Sequence, residues 1–98
     1  MAGEHVRGVY AISVAADLVS MEIQNLRVYE RRGLVSPDRT PGGTRLYSED
    51  DVDRLVHIRQ LLDDGLNIAG IRKVLELEGA VEVLQAENDR LRARRKRT

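Results

Sequence analysis

Gln24, Val28 and Arg31 share one side of a helix turned at 100° per residue, with Arg27 at its edge. Ile23, Leu26 and Tyr29 gather on the other side. An amide, a methyl-bearing group and guanidinium groups suit base edges and phosphates in a DNA major groove. An ordinary amphipathic surface helix has the same periodicity, so the spacing alone does not choose between them. Downstream, Arg39 and Arg45 flank a glycine-rich turn at Gly42 and Gly43. Glycine permits close backbone approach, and either arginine could reach a phosphate or a narrow minor groove. A plain solvated loop is the alternative. Glu30 falls on the packed side of its helix and needs a partner, for which a nearby arginine is suited.

The charge pattern bears on this chemistry. The 98-residue chain carries 16 basic and 16 acidic side chains, a formal net charge of zero. Six basic residues crowd the end: Arg90, Arg92, Arg94, Arg95, Lys96 and Arg97. Between Gln24 and Tyr47 stand Arg27, Arg31, Arg32, Arg39 and Arg45 against only Glu30 and Asp38. A local basic surface on a neutral protein can bind phosphate, because salt confines the relevant field to short range. Other chemistries are poorly served. The chain has no cysteine, which excludes disulfides and thiolate metal sites. His5 and His57 are far apart in sequence and make a poor metal site. The acidic residues stand mainly at helix starts, where capping explains them better than general acid–base catalysis. Neither an enzyme nor a bound cofactor is expected. No stretch approaches the roughly 18 apolar residues that span a bilayer, and no signal-peptide pattern opens the chain. A cytoplasmic, nucleoid-associated address is expected, with no membrane partner.

The elements that would position these groups are mainly helical. Residues 1–10 read as a flexible lead. Ser13 reads as the cap of a short helix, and Val19, Ser20 and Met21 as a turn. A second helix runs from about Glu22 to Arg32 and stops at Gly33. Two short helices joined by a tight turn are the skeleton of a helix-turn-helix. A small hairpin follows, with Leu34 and Val35 going out, Gly42 and Gly43 near the tip, and Arg45 to Tyr47 returning. Ser48 caps a third helix, with Val52, Leu55, Ile58 or Arg59, and Leu62 facing inward. Residues 63–65 end it, and Asn67 caps a fourth helix with Ile68, Ile71, Val74 and Leu75 inside.

From Leu77 onward the pattern narrows. Leu77, Val81, Leu84, Asn88 and Leu91 recur at coiled-coil spacing, with Val81 and Asn88 at a and Leu84 and Leu91 at d. A second copy would bury this stripe, and folding back on the chain's own domain is the alternative. Two heptads do not fix whether paired helices run parallel or antiparallel. The basic end suits a solvated tail, a helix end favoured by the dipole, or an arm on the DNA backbone.

Four ordered motifs carry a family likeness: Ile12-Ser-Val-Ala-Ala-Asp-Leu, Leu26-Arg-Val-Tyr-Glu-Arg-Arg-Gly-Leu-Val, Gly42-Gly-Thr-Arg-Leu-Tyr-Ser-Glu-Asp-Asp and Gly65-Leu-Asn-Ile-Ala-Gly-Ile-Arg-Lys-Val-Leu. Over about residues 11 to 78 the chain resembles the MerR family of bacterial transcription regulators, and within it the heat-shock repressor (HspR) group. The resemblance implies a winged helix-turn-helix domain at 11–78 and a C-terminal dimerisation helix at 79–98. It implies a homodimer, joined by an antiparallel helix pair, on an inverted-repeat double-stranded DNA operator. By position, Arg27 and Tyr29 match the family's recognition-helix contacts. Arg45 and Tyr47 match its wing contacts, with Arg39 in support. A chaperone co-repressor is a further implied partner. Metal-sensing members use C-terminal cysteines and drug-sensing members a large effector domain. Neither is present here, so no small-molecule effector is expected. The chain departs from the family at Ser20-Met21-Glu22, where Gly-Val-Ser is common, and at Val28, where a second aromatic is usual. An architectural or excisionase-like DNA binder, and an adaptor docking a chaperone or sigma factor, are the competing functions. An adaptor would tolerate loss of Arg27 or Arg45, whereas a DNA binder would not.

Overall fold

Small side chains let the first helix sit close to its neighbours. Helix α1, Ile12–Val19, buries Ala15, Ala16 and Val19. Its N-cap is Ala11, without a side-chain cap bond, so Ser13 lies inside the helix and is not the cap expected from its type. The computed structural model describes residues 8–97, which fall into two compact units divided after Gly65.

In the first unit α1 ends at Ser20, which takes a left-handed conformation, φ 56° and ψ 46°. The Ser20 and Met21 amides close the turn by donating to the Asp17 and Ala16 carbonyls at 3.2 and 3.0 Å. Helix α2, Ile23–Arg31, follows within three residues and buries Leu26 and Tyr29. Its N-cap Glu22 makes no side-chain cap bond. Gly33, at φ 78°, reverses the chain, and the Leu34 amide donates to the Tyr29 carbonyl at 2.8 Å. Leu34 and Val35 then plunge into the core, 1% and 3% exposed.

That burial corrects the expected hairpin. Its outgoing arm is not Leu34 and Val35 but strand β1, Asp38–Arg39, paired antiparallel with β2, Arg45–Leu46. Asp38 stands across from Leu46, and Arg39 across from Arg45. Gly43, at φ 89°, forms the tip, where its amide donates to the Thr40 carbonyl at 2.8 Å. The end of the expected lead joins this wing. Tyr10 bridges Tyr47, with the Tyr47 amide donating to the Tyr10 carbonyl at 2.7 Å. The rest of the lead, residues 1–7, lies outside the described residues.

Helix α3, Glu49–Asp63, starts as its sequence dictates. The Ser48 hydroxyl accepts from the Asp51 amide and the Asp51 carboxylate from the Ser48 amide, each at 2.9 Å. This reciprocal capping box satisfies two donors that a helix start otherwise orphans. Leu55 and Ile58 are its buried residues, while Arg59 is exposed and donates to the Val19 carbonyl at 2.8 Å, capping α1. Arg54 similarly donates to the Leu34 carbonyl. Leu26, Leu34, Tyr47, Leu55 and Ile58 form the fully buried centre of this unit.

The second unit is one helix, α4, Ile68–Arg97. Asn67 caps it, its side-chain oxygen accepting from the Gly70 amide at 2.8 Å. Ile71 and Leu75 are buried, and every residue from Glu76 to Arg97 is exposed. The helix passes through Gly79 without a break, so no structural boundary separates the segments before and after residue 78. The architecture is mainly α, a helix-turn-helix followed by a two-stranded wing.

Candidate nucleic-acid interface

Helix α2 divides its side chains as its periodicity requires. Leu26 and Tyr29 anchor it to the core, while Gln24, Arg27 and Arg31 are exposed and Val28 is half-buried. Burial of one face therefore fixes the other outward, with an amide, an alkyl group and two guanidinium groups along nine residues of helix. Such a surface can donate to base edges and to phosphate oxygens.

The wing stands beside this helix through one carboxylate. Glu30 of α2 receives Arg39 Nη2 on Oε2 at 2.8 Å and Arg45 Nε on Oε1. Arg39 Nη1 also donates to the Gly43 carbonyl at 3.0 Å. One acidic group thus ties α2 to both strands and to the hairpin tip. Partial burial of Glu30 works against its ionisation, but hydrogen bonds from Arg45 and Arg39 outweigh it and hold the carboxyl below its ordinary range. The same pairing raises the Arg45 pKa. These are charge-assisted contacts in a partly screened setting, stronger than those of a fully exposed pair.

Arg27, Gln24, Arg31 and Val28 line the outer face of α2 together, and Arg39 and Arg45 lie at the wing. The two tyrosines do not share their exposure. Tyr29 is 5% and Tyr47 0% exposed, so both rings are core elements first. The Tyr47 hydroxyl is buried and has no hydrogen-bond partner among the described residues. Burial raises the pKa of both phenols. Sequence reasoning found the need of Glu30 for a partner but not its identity. It missed the backbone-capping roles of Arg54 and Arg59 altogether, since neither carbonyl they reach is near them in sequence.

On α4, Leu77, Val81, Leu84 and Leu91 are 58%, 60%, 66% and 45% exposed. With Asn88 they fall within an arc of about 80° at ideal helix geometry. Val83 is also exposed, at 70%, and lies off this stripe. The acids of this helix lie between Glu76 and Asp89, and its last turn is basic, with Arg94, Arg95, Lys96 and Arg97. No group of three or more potential metal ligands occurs among the described residues. No helix among them is long and apolar enough to cross a membrane.

Comparison with known proteins gives this arrangement a family. The heat shock protein HspR of Streptomyces coelicolor is 51% identical over 86 residues, 87% of this chain and 57% of that protein. The HTH-type transcriptional regulator GlnR of Bacillus anthracis is 42% identical over 81 residues, 82% of this chain and 63% of that protein. The chain thus spans about three-fifths of the length of these relatives. Among solved structures, the N-terminal part of MtaN, a multidrug transporter activator of Bacillus subtilis, superposes with a TM-score of 0.65 at 26% identity. That match covers 85% of this chain and 88% of the other. The model of the MerR HTH family regulatory proteins matches residues 10–78, more than half of the sequence, and the chain belongs to that family.

Proposed function

We propose that this chain is a sequence-specific, double-stranded DNA-binding transcription regulator, acting as an HspR-like repressor at an inverted-repeat operator. The observation that carries this reading is the pairing of an outward polar face on α2 with a wing held beside it by Glu30. A helix seated in the major groove and a hairpin on the flanking backbone need that fixed relation. Gln24, Arg27, Val28 and Arg31 supply the groove contacts, and Arg39 and Arg45 the contacts to flanking phosphate. Tyr29 and Tyr47 act mainly by anchoring these elements, with any DNA contact restricted to what their burial leaves accessible. Identity to the Streptomyces HspR favours repression of stress genes over other targets.

The regulator works as a homodimer through α4. Leu77, Val81, Leu84, Asn88 and Leu91 form a seam that one helix alone leaves in water. Covering a leucine of this kind contributes about 1.5–3 kcal/mol, so a few such residues from each chain support a stable pair. Two copies then place two recognition helices about 34 Å apart on one face of DNA. A chaperone acting as co-repressor is the finer partner proposal, in a cytoplasmic, nucleoid-associated setting. Nuclease footprinting on chaperone-operon promoters tests this reading. Two protected half-sites with centres separated by about 10 base pairs, or a multiple, are expected. Uniform protection of every promoter would move the function to DNA architecture. No protection at any concentration would move it to the adaptor role.

A further inference from the structure

We propose that Glu30 is a specificity-determining residue, whose carboxylate restrains the wing arginines Arg39 and Arg45 so that they meet phosphate only when α2 is seated. This role rests on the DNA-binding reading above.

The geometry is unusual for two cations. Arg39 and Arg45 stand directly opposite each other in the strand register, where like charges repel. Glu30 resolves the conflict by giving one oxygen to each. Its side chain is 21% exposed, against 27% for Arg45 and 46% for Arg39. The carboxylate is therefore the most covered member of the trio. Arg45 is the inner cation, and Arg39 is the outer one, with a second bond to the Gly43 carbonyl. Strands of only two residues each give the hairpin little order of their own. The ion trio supplies the link between this hairpin and the helix that faces the bases.

The functional consequence follows from charge. Two unrestrained guanidinium groups on a short hairpin would bind any phosphate, and such contacts carry no sequence information. With Glu30 between them, two positive charges carry one negative, and their positions are tied to α2. A duplex on which α2 cannot seat meets a weaker, misplaced wing. Discrimination by a built-in opposing charge is a known route to specificity.

The test uses the 98-residue chain with Glu30→Gln and Glu30→Asp. Two duplexes serve as probes: a random sequence, and one selected from a randomised pool by the unsubstituted chain. The Gln variant should bind the random duplex several-fold more tightly. Its logarithmic salt slope should steepen by about 0.9 for each arginine released to a phosphate. Preference for the selected duplex should fall, and the Nε–H groups of Arg39 and Arg45 should gain fast motion in nitrogen-15 relaxation. Asp keeps the charge but is one methylene shorter, so its changes should run the same way and be smaller. It also serves if the Gln variant does not fold. Equal weakening on both duplexes with unchanged slope and unchanged arginine motion would overturn the role, because that is what general destabilisation gives. An unsubstituted chain that selects no duplex from the pool and does not bind the random one would overturn the DNA-binding reading itself, and this role with it.

Discussion

Replacing Ser20 by glycine should make the protein more stable. Ser20 is exposed and sits at φ 56°, ψ 46° between the two helices of the helix-turn-helix. A residue with a Cβ in this left-handed region incurs a cost of about 1–2 kcal/mol. Glycine escapes that cost but gives the unfolded chain more freedom, which offsets about 0.5–1 kcal/mol. The net gain is about 0.5–1 kcal/mol. For a domain of this size that raises Tm by about 2–8 °C. Because Ser20 is exposed, no packing contact is lost to confuse the result. Ser20→Ala is the control, since it removes the hydroxyl and keeps the Cβ. Thermal melts by circular dichroism, at one protein concentration, should rank Gly above Ser and leave Ala at or below Ser. An unchanged or lowered Tm for the glycine variant, or an equal gain for alanine, would refute the argument from backbone strain.

Other consequences concern charge and assembly. Glu30 has its pKa lowered in the folded state, so its stabilising contribution is present above the ordinary carboxylate range and is lost as pH falls through the lowered value. Tm measured from neutral pH down through the carboxylate range to about pH 2 should therefore fall less steeply in Glu30→Gln than in the unsubstituted chain; parallel profiles would contradict the ion trio. Leu84→Asp places a charge in the centre of the α4 seam and should weaken dimerisation by at least about tenfold, taking Leu84 burial as about 1.5–3 kcal/mol. Sedimentation equilibrium reads this directly, and an unchanged dimer would show that the seam lies elsewhere.

Much of this architecture is legible where periodicity and capping agree. Ser48 followed by Asp51 announces α3 because both halves of a capping box are local. The inward set of α2 follows from its 3.6-residue period, which puts Leu26 and Tyr29 together. The wing is less legible for a physical reason. Strands of two polar or mixed residues, Asp38–Arg39 and Arg45–Leu46, have no apolar alternation to betray them. The apolar Leu34 and Val35 take the eye instead, though they serve the core. The partners of Glu30 lie 9 and 15 residues away, and only strand pairing brings them to one carboxylate. Ser13 shows propensity overridden by context, since the helix begins one residue before it. The change of pattern near residue 78 marks where burial along α4 ends, not the end of a helix. Gly79 is tolerated there, and a Cβ at that position would meet nothing within 4 Å.

The central claim is that the outer face of α2 reads DNA. Fluorescence-anisotropy titration of a chaperone-promoter duplex and a random duplex, each at two salt concentrations, tests it most directly, with Arg27→Ala beside the unsubstituted chain. Loss of one bidentate base contact costs about 1–3 kcal/mol, so the variant should lose about five- to 150-fold of its affinity for the promoter and much less for random DNA. Equal affinity of both proteins for the promoter, or no binding by either, would contradict the account.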